Sequence, residues 1–504
     1  MVCIVMPVAD HEHTVLRPEP LALPRPTRRV LAVLASISAL LFVNWLFAIA
    51  RFQPNVMFMD QWDFLRPLFN GEGSWKLFVQ QQGPVREGLG LVVTGWILQA
   101  TGWDVRYDSV WVATVLLVAT VLALRLKWKM TGTLGLGDAW IVFFGLSLGQ
   151  FETVVIVSHV SHSVLPLALI LLVANLWLEG RPSIRYLGAG AIALALTFTA
   201  FGIFASGMIA VLLGARVVRH ALDRENRAAW LAAVALALIL AGWFQFSTDY
   251  VFQPSVDDFR FPWSPWTDYV RFIVLMFNLP TAQVGSDLRH YVLGGVIAFV
   301  LATAAVGIAR AWLTRRPTAN DDVLLLLMGA GLLFVVTAAI GRVSLGILAA
   351  SSSRYLSLML TLWLAVYLFV ATSYRRLMPL AMLGIWLLVA APYLSMHQRP
   401  LAEWPGTFGV LQWQIDIMRH FGTNKAGWAR VYLATGSWES AQAAVRQPLH
   451  PDPRASHFDD KLRYLRERRL SFFAGRPDRG DYLPWMASDD FGCTASPATG
   501  RYCP

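Results

Sequence analysis

Cysteine is scarce in this chain of 504 residues, which holds three. That excludes a fold stapled by a dense disulfide framework. Charge is scarce as well, at 15% of residues. Combined with 56% hydrophobic residues and a positive mean hydropathy, this is too apolar for a water-soluble chain, and apolar runs of about 20 residues recur. There is no phosphate-binding Gly-Lys loop, no dinucleotide Gly-x-Gly-x-x-Gly and no repeat at solenoid period. An ATP-driven pump is thereby disfavoured. No signal peptide is expected, because residues 1–29 are polar and rich in Pro and Arg, and the first apolar run is long enough to stay as an anchor.

What is present is a series of continuously apolar runs without strict in-out alternation, so helices are expected rather than a barrel. The fold class read from them is an all-α polytopic membrane protein with about eleven transmembrane helices. These are placed near 30–50, 107–125, 136–151, 163–179, 186–200, 202–218, 229–247, 291–309, 322–340, 355–373 and 377–395. The 21 Trp and 29 Phe suit an aromatic belt at the two interfaces. The organisation that follows is a cytoplasmic segment 1–29, a transmembrane domain 30–395 and an extracytoplasmic C-terminal domain 396–504.

Orientation comes from short loops. Arg25, Arg28 and Arg29 precede the first span, and Arg125, Lys127 and Lys129 follow the second. Arg216, Arg219, Arg224 and Arg227 follow the sixth, while the loops around 152–162 and 200–201 carry no Lys or Arg. Every second connection is basic, which puts the N-terminus in the cytoplasm and, with an odd span count, the C-terminus outside. The net charge of +10 is largely this bias plus a basic outer tail, so it argues for contact with membrane lipids and against nucleic acid. On this topology Cys493 and Cys503 lie where disulfides persist, and a bridge between them is expected. Two free thiols are the alternative.

Three outer segments are long enough to build a site. The first, 51–106, carries Asp60 and Asp63 beside Phe58, Trp62 and Phe64, and later Gln80 to Glu87 with Arg86. A carboxylate at the lipid-water boundary can take a proton from an attacking hydroxyl, although a loop Asp is ordinarily a solvated charge. Residues 88–101 are short for a span and read as a helix lying in the interface. The second segment, 248–290, reads as an anchoring loop in which Asp257 and Asp258 are solvated. The third is the tail, where Phe458 to Phe473 has Leu462, Leu465 and Leu470 at helical spacing and could cap a site or lie on the membrane surface.

Two clusters sit at span edges. On a continuous helix Glu152 and His159 share a face, with His162 nearby. Ionisable groups at membrane depth are expensive and mark sites. Glu, His and His are plausible metal ligands, but no motif supports them, and polar lining of a headgroup cavity is the preferred reading. No cofactor is therefore expected, a divalent metal being the alternative. The second cluster runs from Gly341 and Arg342 to Ser351, Ser352, Ser353, Arg354 and Tyr355. Arginine offers a fork of donors suited to a phosphate; snorkelling at a span end is the ordinary explanation.

Taken in order, the Asp60-x-x-Asp63 loop, Gln150-Phe151-Glu152, the stretch Gly341-Arg342 to Ser353-Arg354-Tyr355 and an outer tail with Leu470-Ser471-Phe472-Phe473 are similar to a bacterial branch of the GT-C superfamily of membrane glycosyltransferases. The resemblance covers most of the chain, through short motifs. It implies a multi-pass protein of the bacterial cytoplasmic (inner) membrane that moves a sugar from a polyprenyl-phosphate-linked donor to a glycan or lipid acceptor on the outer face. It implies Asp60 or Asp63 as the base, with Arg86, Arg342 and Arg354 as cations for the leaving phosphate and Glu152, His159 and Tyr355 lining the substrate. A secondary transporter or lipid flippase, or a non-enzymatic envelope-assembly protein, stays open beside it.

Overall fold

A computed structural model describes residues 27–253, 259–281, 285–314, 316–394, 409–454 and 456–474. Cys3, Cys493, Cys503, Asp257 and Asp258 lie outside the described residues, so the expected disulfide does too. Within them the secondary structure is almost all helix; the one sheet is the two-stranded hairpin of Gln81–Gln82 and Val85–Arg86.

Seven helices are long and apolar enough to cross a membrane: Arg28–Phe52, Val105–Thr131, Gly202–Leu222, Asn226–Ser247, Leu288–Thr314, Ala319–Leu345 and Ser353–Ser373. Each coincides with a run read as a span in the sequence. Three more expected spans are helices that fall short of that length: Val164–Trp177, Pro182–Thr197 and Met378–Leu394. At about 1.5 Å per residue the first of them is about 21 Å long, less than the hydrocarbon layer of about 30 Å. The multi-pass helical class stands, with seven spans defined by length and composition.

The expected span at 136–151 is not one helix. A turn at Leu136–Asp138 leads into Ala139–Gly145, then a turn at Leu148–Gln150 and a wide π-type turn at Glu152–Ile156. Side chains interrupt the backbone ladder here. Gln150 Nε2 donates to Gly145 O at 2.8 Å, and Gly149 N donates to Ser147 Oγ at 3.0 Å. Such competition by polar side chains ends helices, and π-type turns gather at functional sites.

The centre of the bundle is Leu356–Ser373, nearly all of whose side chains are buried. Ala319–Arg342, Val105–Thr131, Val164–Trp177 and Leu288–Thr314 surround it. Around the outside, large apolar side chains such as Leu40, Phe244 and Phe299 are exposed. This is the surface a bilayer would cover. At the helix ends that the sequence assigns to the cytoplasm, basic residues are paired: Arg216 with Asp322, Lys127 with Asp138, and Lys129 with Glu179. The tail then returns to the opposite end of Arg28–Phe52 through Gly409–Thr435, Trp438–Ala443 and Phe458–Glu467.

Candidate functional site

Beyond Phe52 the chain turns away from its helix and Met59 adopts a left-handed φ of 51°. Met59 N donates to Leu449 O at 2.8 Å, which ties the loop to the tail. A short helical turn, Gln61–Phe64, follows, and its side chains divide between two neighbours. Gln61 Nε2 donates to Ser158 O at 3.1 Å and Ser158 Oγ at 2.8 Å, and Phe64 stacks on His159 at 4.1 Å between ring centroids. Trp62 and Asp63 meet the tail instead.

The two aspartates therefore have different surroundings. Asp63 accepts from His450 Nε2 and from Lys461 Nζ, both at 2.8 Å. Burial by itself would raise its carboxyl, but the two hydrogen bonds and the Lys461 charge outweigh it and hold the group below its ordinary value. On Lys461 the balance reverses: burial lowers the ammonium more than Asp63 raises it. The pair is thus a fastening, its desolvation outweighed at Asp63 and only partly offset at Lys461. Asp60 is partly exposed and its carboxylate has no hydrogen-bond or ion-pair partner among the described residues.

Arg86 is buried, and its guanidinium donates to protein carbonyls. Nε reaches Phe246 O at 3.0 Å, Nη2 reaches Thr248 O at 2.6 Å, and Nη1 reaches Val79 O. A cation at the C-terminal end of Asn226–Ser247 satisfies carbonyls that the helix leaves over. All three of its nitrogens are engaged in this way, which makes it a tether between the loop around Val79 and the end of Asn226–Ser247.

The two span-edge clusters do meet. Glu152 Oε2 accepts from Ser352 Oγ at 2.5 Å and from Arg354 N at 3.2 Å, with Arg354 Nε at 3.6 Å. Glu152 N donates to Ser353 Oγ at 3.3 Å. Arg342 ends its helix partly exposed and forms no ion pair among the described residues. Tyr355 is buried, edge-on to Phe334 at 5.9 Å, and packs the core.

The carboxylate beside the histidines is Glu87 and not Glu152. Glu87 Oε2 lies 3.1 Å from His159 Nε2, and donor atoms of Glu87, His159 and His162 all fall within 4.8 Å of one another. The expected face of Glu152 and His159 fails because the π-type turn and the bends after it replace the continuous helix on which that geometry depended. Glu87 enters because the backbone packs closely here: Gly88 and Gly90 lie against Phe198 and Ser161, with no room for a Cβ. His159 also lines a small pocket with Gln61, Phe64, Asp108 and Ser158.

Sequence reasoning missed Gln61, Glu87, Lys425, His450 and Lys461. Glu87 was signalled only by standing beside Arg86, and Gln61 by standing between the aspartates. Lys425 is fully buried on Gly409–Thr435, where it donates to Gln53 Oε1 and, at 3.3 Å each, to Val155 O and Ile156 O. Burial lowers its ammonium to about 7. Nothing local in a tail sequence marks such a residue.

Comparison of the chain with protein-family models, with curated proteins and with solved structures finds no match. Fold and site together define a multi-pass α-helical membrane protein with a polar cluster where the loop after Arg28–Phe52 meets two other segments.

Proposed function

We propose that this protein is a membrane glycosyltransferase that uses a polyprenyl-phosphate-linked sugar and acts at the outer face of a bacterial cytoplasmic membrane, with its N-terminus inside. The observation that carries the reading is the contrast between Asp63, fastened by His450 and Lys461, and Asp60, whose carboxylate has no partner among the described residues. Gln61, next to Asp60, is bonded to Ser158, a few residues beyond the Glu152 that holds Arg354. Acid and cations thus stem from segments that pack together.

In the proposed reaction the acceptor hydroxyl attacks the anomeric carbon as the carbon-oxygen bond to phosphate breaks. Asp60 takes the hydroxyl proton, and the departing lipid phosphate carries off the bonding electron pair. Arg342 and Arg354 offset its charge. The lipid tail of donor and acceptor suits a bundle with an apolar exterior.

The test is sugar transfer in proteoliposomes supplied with polyprenyl-phosphate sugars, comparing wild type with Asp60→Asn and Asp63→Asn. Loss of a general base costs about 10²- to 10⁴-fold, so Asp60→Asn should fall in that range while remaining folded. Asp63→Asn should lose stability first. If Asp60→Asn matches wild type, the enzymatic assignment of this acid fails, and unchanged surface glycans in both variants would favour a transporter or assembly role.

A further inference from the structure

We infer that Glu87, His159 and His162 form a binding site for one zinc-like divalent cation. Three observations support it. First, the donor set is two imidazoles and one carboxylate, with atoms within 4.8 Å of one another. Two histidines and a glutamate are an established ligand combination for zinc, leaving a tetrahedral ion one further position for water or a substrate oxygen. Second, Glu87 is 1% exposed and His159 8%, yet Glu87 Oε2, His159 Nε2 and His162 Nε2 all lack a hydrogen-bond partner. Buried polar atoms are rarely left so. Glu87 Oε2 and His159 Nε2 are 3.1 Å apart without being aligned for a hydrogen bond. That spacing is close to the separation of about 3.3 Å between two ligands of a tetrahedral zinc with bonds of about 2.0–2.1 Å.

Third, the surroundings hold the donors in place. Phe64 stacks on the His159 ring, and Phe201 meets the His162 ring edge-on at 4.9 Å. Ser161 Oγ donates to the Glu87 carbonyl at 2.6 Å. Gly88, with φ of +46°, and Gly90 allow the chain carrying Glu87 to lie directly on Phe198 and Ser161. A tetrahedral ion with bonds of about 2.1 Å spaces its ligands about 3.4 Å apart, so a separation near the 4.8 Å bound closes by imidazole rotation.

This inference is independent of the sugar-transfer reading, because binding is measured without turnover. The full-length protein, purified in detergent and stripped with a chelator, is titrated with Co²⁺ and then with Zn²⁺. Wild type should develop the intense visible bands of four-coordinate Co²⁺ at one equivalent, and Zn²⁺ should erase them. Glu87→Gln and His162→Asn should weaken binding by at least about 100-fold, whereas Glu152→Gln should bind as wild type. His162 is the least buried of the three, so its variant keeps the test valid if Glu87→Gln does not fold. Absence of the bands in wild type, or equal bands in wild type and His162→Asn, would overturn the site and leave Glu87 and His159 a buried carboxylate-imidazole contact without an ion.

Discussion

At the scale of single residues, two charges make stability rise with pH, in different windows and for different causes. Asp63 is held below its ordinary value of 3.8 by His450 and Lys461. A carboxyl with a depressed folded value adds stability that is complete above its unfolded value and is lost as pH falls through the folded one. Asp63→Asn should therefore lower stability by roughly 1.5–3 kcal/mol at neutral pH, the range for hydrogen bonds to a charged group. The gap from wild type should close as pH drops below 3.8. Because the variant strands a buried Lys461, adding Lys461→Met should recover part of the loss; thermal melts in detergent that show none would refute the fastening. Lys425 gives the same sign by another cause, because burial disfavours its charged form. Its folded value is about 7 against 10.5 when exposed. Between the two, the unfolded chain holds a proton that the folded chain has shed, so stability rises with pH. Melting temperature measured from pH 7 to pH 10.5 should climb less steeply in Lys425→Met than in wild type.

At the scale of elements, the sequence was most readable where a run is long and uniformly apolar. All seven long helices were visible because their side-chain bonds to their own backbone run back to a carbonyl one turn earlier, as from Ser38 to Leu34 O and from Thr120 to Leu116 O, and leave the ladder intact. The run at 136–151 looked the same by hydropathy, yet Asp138, Ser147 and Gln150 each bond to nearby backbone and break it. Hydropathy does not register that competition. Glu152 with Arg354 was legible as two polar clusters at span edges; Glu87 with His159 was not, because their meeting depends on close packing through Gly88 and Gly90. A Cβ at Gly90 would sit 1.8 Å from Ser161 Oγ, and one at Gly88 would sit 1.9 Å from Phe198 O. Gly88→Ala meets backbone that cannot turn aside, and should cost at least the 1–3 kcal/mol or so of an overpacked site while also weakening the proposed Co²⁺ binding. Gly73 has φ of −76° and open space around it. Gly73→Ala is the matched control, expected to change neither quantity.

At the scale of the whole molecule, the chain has two kinds of solvent, and equal residues should be worth different amounts in each. The tail is fixed to the loop that follows Arg28–Phe52 by contacts beyond the end of that helix. Ser471 N donates to Gly102 O at 2.9 Å, Ser471 Oγ to Asn55 O at 3.1 Å, and Phe458 lies edge-on to Trp62 at 4.6 Å. Phe458 is 2% exposed there, whereas Phe299, on the outside of Leu288–Thr314, is 73% exposed. Burying Phe458 removes apolar surface from water, and truncating it leaves a cavity between loop and tail, at about 3–5 kcal/mol. Phe299 faces a medium as apolar as itself, where no hydrophobic force favours contact with protein. In one detergent, Phe458→Ala should lower the melting temperature and release the tail to limited proteolysis. Phe299→Ala should stay within about 0.5 kcal/mol of wild type. Equal losses from both would mean that Leu288–Thr314 turns this face toward protein, and the arrangement of helices around Leu356–Ser373 would need another partner there.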